Sequence, residues 1–207
     1  MNYLAHAYLS FGISDIATGN LISDFVKGKK KLDYPETIQH GITLHRAIDT
    51  FTDGHPITQE AKFFFRRDYG LYSGPIVDIL YDHFLANDPD QFPDPGRLEA
   101  FALHTYEQVG ARQASFPERF ARLFPYMRSQ NWLYNYRHKE GIYNSLHGLG
   151  RRATHMPDPA TAFQIFEAQY EQLQDCYRRF FPELKNFAFD ELQRLSPSQK
   201  RPSSELL

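Results

Sequence analysis

Residues 35–54 read PETIQHGITLHRAIDTFTDG, and the period of this stretch decides the fold class. Ile38, Ile42, His45, Asp49 and Thr52 recur at spacings of three and four, which places them along one stripe of a 3.6-residue helix. Pro35 sits where a first turn tolerates a missing N–H and Gly54 stands just past the end, so the spacing predicts a helix over 35–53. The stripe begins apolar and ends polar. Burying an imidazole and a carboxylate is costly unless something pairs with them, and i,i+4 geometry lets His45 and Asp49 meet each other or a single ion. Arg46 and Asp53 extend the charged set, and for Arg46 an ordinary surface pair is an equally good account.

The same period runs outward in both directions. Helices are expected over 2–10 and 14–27, parted by Gly12, with Ser14 as N-cap and the GKKK at 28–31 as terminator. Further helices are expected over 57–68, 75–87, 96–111, 117–129, 131–149 and 159–179, then a break at Pro182 and a short helix over 187–194. NDPDQFPDPG, residues 87–96, is a loop by composition. No run of alternating apolar and polar residues bounded by hairpin turns occurs, so the class is all-α, a helical bundle. Residues 1–195 are expected to form a single domain and the polar, proline-broken 196–207 a flexible tail.

Composition narrows the function classes. With 18 Phe and 13 Tyr in 207 residues, rings should supply much of the buried area. A formal net charge of −2 lacks the basic excess of nucleic-acid binders, so no nucleic-acid partner is expected. No stretch approaches the roughly 20 apolar residues of a membrane span, and MNYLAHAYLSFGISD has no basic n-region or cleavage site. It should be part of the fold. The one cysteine, Cys176, cannot form an internal disulfide and suits a reducing cytoplasm; it reads as packing.

A second apolar stretch, PIVDILYDHFL at 75–85, repeats the polar interruption. His83 shares the face of Ile76, Ile79 and Leu80, Asp82 stands beside it and Asp78 one turn earlier. A satisfied core histidine and a helix-end charge would explain these two residues as well. His6 lies on the N-terminal aromatic helix and Asp24 in GNLISDF. Together His6, Asp24, His45, Asp49, Asp82 and His83 form a nitrogen and oxygen set without thiolate, suited to manganese, iron or zinc. Such ions serve phosphate ester hydrolysis. No GxxxxGK[ST], GxGxxG after a strand, HExxH or GxSxG is present.

MNYLAH (1–6), GNLISDFVKG (19–28), GITLHRAIDTFTD (41–53), PIVDILYDHFL (75–85), NWLYNYR (131–137) and HGLGRR (147–152) together resemble the acyl carrier protein phosphodiesterases, an atypical branch of the HD phosphohydrolases. The resemblance implies an HD-domain-like helical fold and a divalent-metal phosphodiesterase, with Mn²⁺ preferred. The implied reaction releases 4′-phosphopantetheine from holo acyl carrier protein. It implies Asp24, His45, Asp49, Asp82 and His83 as metal ligands, with His6, Arg46 and Asp82 as candidates for catalytic roles. A related phosphohydrolase of a nucleotide or small ester, or a non-catalytic module that binds carrier protein, are the competing readings. An acidic carrier would need a basic rim, for which Lys27, Lys29, Lys30 and Lys31, or Arg66 and Arg67, are available. Trp132, Tyr134, Tyr136 and Arg137 could wall a pantetheine channel, though at helical spacing they fit core packing too.

Overall fold

The structure, a computed structural model, describes residues 1–197, and every regular element among them is helical. The α-helices are α1 (Tyr3–Tyr8), α2 (Ser14–Ile22), α3 (Glu36–Gly54), α4 (Pro56–Tyr69), α5 (Ser73–Ala86), α6 (Pro95–Gly110), α7 (Glu118–Ser129), α8 (Trp132–Asn135), α9 (Lys139–Arg152), α10 (Pro159–Ala168) and α11 (Tyr170–Leu195). Short 3₁₀ turns occupy Ser23–Phe25, Gly28–Asp33, Gly70–Tyr72 and Gln113–Ser115. The all-α expectation is met. Residues 198–207 of the expected tail lie outside the described residues. Among the described residues no helix is long and apolar enough to cross a membrane.

Helix α5 runs through the middle. Ile76, Val77, Leu80, Tyr81, Phe84 and Leu85 are all buried, so it is apolar nearly all round, as a central helix must be. Each such side chain contributes about 1.5–3 kcal/mol by leaving water. Aromatic rings from α10 and α11 close over it: Phe84 contacts Phe166, Tyr170 and Tyr177 edge-on or tilted.

Two contacts fix the parts that matter for the site. Helices α2 and α3 touch backbone to backbone at Gly19 and Gly41. A Cβ on Gly19 would lie 2.1 Å from the Ile38 carbonyl oxygen, and one on Gly41 would lie 2.3 Å from that of Ile16. Only hydrogen fits at either position. The second contact is the buried Asp82 carboxylate of α5, which accepts from the backbone N–H groups of Asn2 (3.3 Å), Leu4 (2.7 Å) and Ala5 (3.2 Å). These are the donors that the first turn of α1 leaves without an intrahelical partner, so a six-residue helix is held by a side chain from another element.

Several boundaries differ from expectation for physical reasons. The helix expected over 14–27 ends at Ile22 and tightens into the 3₁₀ turn Ser23–Phe25. The helix expected over 131–149 is interrupted between α8 and α9, where the Tyr136 carbonyl faces His83. The break expected at Pro182 falls instead at Gln169 (φ −113°, ψ 23°), and α11 continues through Pro182. Pro182 lies on the exposed face of α11, where water can serve the carbonyl deprived of its donor.

Two substitutions test these anchors. Gly to Ala inside a helix normally stabilises by about 0.5–1 kcal/mol, but Gly41→Ala should lower stability, because its methyl can fit only if α2 and α3 separate; a gain in urea midpoint would contradict the close approach. Asp82→Ala strips the Leu4 and Ala5 N–H groups of their acceptor and should cost about 2–4 kcal/mol, with the same measurement as readout.

Candidate metal centre

Two helices and one turn converge beside the glycine contact of α2 and α3. His45 and Asp49 lie one turn apart on α3, His6 comes from α1, and Asp24 from the 3₁₀ turn after α2. One Asp49 oxygen lies 3.2 Å from His6 Nε2 and the other 3.1 Å from His45 Nε2. Asp24 Oδ1 also approaches His45 Nε2, at 3.2 Å. The two imidazoles stack with centroids 3.9 Å apart and planes 17° from parallel. One ligand atom each from His6, His45 and Asp49 falls within 4.8 Å of the others.

Local sequence explains the arrangement. The i,i+4 spacing on α3 puts His45 and Asp49 on the same face. The glycine contact brings the end of α2 close enough for Asp24 to reach α3. Asn20, buried on α2, donates to the His6 carbonyl at 2.9 Å and to Ser10 Oγ at 3.1 Å, which ties α1 to α2. Arg46 donates to the Val26 carbonyl at 2.8 Å and so braces the chain two residues beyond Asp24.

The set fits a divalent cation on its own geometry. The His6 and His45 side chains are 4% and 6% exposed, whereas those of Asp24 and Asp49 are 67% and 39% exposed. The histidines are therefore sealed behind carboxylates that reach solvent. His6 Nε2 and Asp49 Oδ1 are close but lack hydrogen-bond direction, and both are buried without another hydrogen-bond partner, as are His6 Nδ1 and His45 Nδ1. Buried polar atoms are normally satisfied; His6 Nε2 and Asp49 Oδ1, left without a hydrogen bond in a group that also offers a His45 ring nitrogen within 4.8 Å, suit a shared ion.

Charge at the cluster is lopsided. Burial pushes His6 down to about 4, with the neighbouring His45 acting in the same direction, so His6 is neutral near pH 7. Burial also opposes charge on His45, but Asp24 and Asp49 outweigh it and hold the ring up at about 9. Asp49 stays well below the usual carboxylate range because the two histidines overcome its desolvation, and the His45 contact lowers Asp24. Asp78, one turn before Asp82 on α5, accepts an ion pair from the Met1 amine at 2.9 Å, and that amine lies 3.5 Å from Asp49.

Of the residues singled out in the sequence, the structure brings together His6, Asp24, His45 and Asp49. It does not bring Asp82 and His83 to them. Asp82 is committed to the α1 backbone; burial pushes its carboxyl up to about 7 against those N–H groups. His83 lies between the Tyr136 carbonyl (Nδ1, 2.8 Å) and the Tyr170 hydroxyl (Nε2, 3.0 Å), and burial lowers it to about 4. It pins α5 to the α8–α9 junction and to α11. Asp78 shares the Asp82 face of α5, and spacing gives no signal that separates the two.

Residues 1–184 match the family described as acyl carrier protein phosphodiesterase. A Yersinia pestis protein named acyl carrier protein phosphodiesterase is 35% identical over 182 residues, covering 88% of this chain and 94% of the relative. One of the same name from Salmonella paratyphi A (strain ATCC 9150 / SARB42) is 33% identical over 184 residues, covering 89% and 95%. One from Salmonella newport (strain SL254) is 32% identical over the same length. No solved structure matches the chain.

The His45 shift sets a pH dependence for metal-free protein. A ring held at about 9 when folded and 6.5 when unfolded contributes stability that is complete below pH 6.5 and is lost as pH rises through 9. In EDTA, the urea midpoint of wild type should therefore exceed that of His45→Gln at pH 6 by a margin that shrinks by pH 9.5. A margin that does not change with pH contradicts the assignment.

Proposed function

The chain belongs to the acyl carrier protein phosphodiesterase family, and from that premise we propose that it hydrolyses the phosphodiester joining 4′-phosphopantetheine to the serine of holo acyl carrier protein. The reaction consumes water and gives apo carrier and free 4′-phosphopantetheine. The observation that carries this reading is the convergence of His6, His45 and Asp49 on one volume, with Asp24 at its exposed edge. These four residues would hold a divalent ion, most simply Mn²⁺. Such an ion supplies Lewis acidity, making water a competent nucleophile near neutral pH and neutralising charge on phosphoryl oxygens.

The chain's own residues have separate tasks in this reading. Neutral His6 offers nitrogen as a ligand and is poorly suited to donate a proton. His45, charged while it sits between two carboxylates, must release its Nε2 proton to bind an ion, so ion uptake and proton release are linked. Asp49 bridges the two rings and orients both. Arg46 acts as a brace on the Asp24 turn. Asp82 acts through α1 as a positioning residue for His6, and His83 through the core. Cys176 is buried, in keeping with a reducing cytoplasm. The HD-like relation enters through the type of ligand set, His and Asp from facing helices.

Docking of an acidic carrier calls for exposed cations near the opening. Lys27, Lys29 and Lys30 are exposed and follow Asp24 directly, whereas Lys31 is partly buried and reaches Thr43 Oγ1 at 3.3 Å. Arg66 and Arg67 are exposed on α4. The lysines immediately beyond Asp24 are the better placed set.

Two experiments test the reading. Holo acyl carrier protein incubated with the enzyme and Mn²⁺ should lose the mass of its phosphopantetheine group, and EDTA should abolish the loss. His45→Ala and Asp49→Ala should reduce the rate by more than the roughly 100-fold that loss of an outer partner costs a metal site. Turnover of a simple phosphodiester with an untouched carrier would overturn the substrate assignment. Separately, Lys29→Glu with Lys30→Glu should raise KM for the carrier at low salt, an effect that fades as salt screens the charges; a KM unchanged at low salt removes the docking surface.

A further inference from the structure

Beside the His and Asp cluster lies a cleft of about 520 Å³ between α1, α8 and α9, within the roughly 300–1,000 Å³ typical of pockets for small organic ligands. Its α9 wall is Gly141, Asn144, Ser145, Gly148, Arg151 and Arg152, a run of three- and four-residue spacings and hence one face of that helix. That face carries no bulky apolar side chain. The facing wall supplies rings, Tyr3 and Trp132 with centroids 6.3 Å apart, and Tyr136. Neither Arg151 nor Arg152 makes an ion pair with a carboxylate among the described residues.

The cleft adjoins the cluster through shared elements. Asn2 and Ile79 line it, next in sequence to Met1 and Asp78. Tyr3, one helical turn before His6, lines it as well. The Tyr3 hydroxyl is pushed up to about 12 by burial, and it feels both Asp24, which adds to the shift, and Arg152, which opposes it.

We propose that this cleft seats the 4′-phosphopantetheine arm. The inference rests on the reaction proposed above and adds to it the place of the leaving arm. The arm's chemistry matches the lining in kind. Its phosphate is an anion for Arg151 and Arg152, whose forked donors suit phosphoryl oxygens. Its dimethyl-substituted carbon and methylene groups suit the rings of Tyr3, Trp132 and Tyr136. Its two amides need both donors and acceptors, which Asn144, Asn135 and Ser145 provide. The aromatic channel expected from Trp132, Tyr134, Tyr136 and Arg137 is thereby redrawn. Tyr134 and Arg137 do not line the cleft; the Arg137 guanidinium instead donates to the Tyr134 hydroxyl at 3.1 Å. The polar wall comes from α9.

Calorimetric titration of the full chain with free 4′-phosphopantetheine tests the assignment. A Cβ on Gly148 would meet only the ends of Arg152 and Arg151, at 3.6 and 3.7 Å, so Gly148→Leu can fill the cleft without touching backbone, and Asn144→Leu removes an amide. Both should melt like wild type and bind about tenfold or more weakly. Arg152→Gln should weaken 4′-phosphopantetheine while leaving pantetheine, which lacks the phosphate, unaffected. Uptake unchanged in both leucine variants, or no uptake by wild type at millimolar concentration, overturns the cleft. Carrier hydrolysis at the wild-type rate by Gly148→Leu also overturns it while sparing the reaction. Arm uptake lost in the leucine variants, together with a carrier left intact by wild type, supports the cleft and overturns the reaction.

Discussion

The site depends first on two backbones that touch. At Gly19 and Gly41 the Cα atoms of α2 and α3 approach so closely that a methyl on either would fall within 2.3 Å of a carbonyl oxygen. Helices usually pack 8–10 Å apart with side chains between them; here the side-chain layer is absent at the crossing. The result is a short lever. Asp24, five residues beyond Gly19, and His45, four beyond Gly41, lie about one turn from the same contact, so their 3.2 Å approach is set by backbone, the least adjustable part of the chain. Ligand geometry built this way does not drift with rotamer motion on distant elements.

The second constraint is the exchange of a carboxylate for a helix terminus. Asp82 satisfies N–H groups of α1 that would otherwise be buried without acceptors, and α1 in turn presents His6. Asp82 thus serves the cluster from behind, while Asp78, one turn away on the same helix, pairs with the Met1 amine that lies 3.5 Å from Asp49. A helix periodicity of 3.6 gives both residues the same face within about 40°, so spacing cannot separate the amine-pairing carboxylate from the capping one. The distinction is made by α1, which arrives from far away in sequence. That is the physical reason spacing alone does not assign the separate roles of Asp78 and Asp82.

Much of the fold was legible because it is written in local period: α3, α4, α5 and α6 follow from apolar spacing with Pro or Gly at their ends. The misplaced break in the last helices has a different origin. Proline in a helix interior is expected to cost about 3 kcal/mol, but Pro182 is exposed and the helix on either side of it is anchored by Tyr177, Phe180, Phe181 and Leu184, all buried. Tertiary burial on that scale outweighs a single lost hydrogen bond. The pairing of His45 with Asp49 was readable from spacing alone, Asp24 only through resemblance, and His83 belongs with Tyr136 and Tyr170, partners 53 and 87 residues away.

Asp24 and Asp49 flank His45, the charged ring beside neutral His6, and Asp78 joins them through the Met1 amine. Carboxylates gathered in a partly desolvated site repel one another and are costly to keep ionised unless a cation balances them. Burial accordingly raises Asp78, while the histidines keep Asp49 and Asp24 ionised. The polypeptide meets the excess in part with the Met1 amine, held near 10 by the Asp78 and Asp49 charges despite its burial. A divalent ion held there would relieve the same repulsion more completely, because it would bring two charges to the centre, and His45 would give up its proton on becoming a ligand. The residues that make the site expensive as a stack of acids and imidazoles are the ones that make it favourable for a metal.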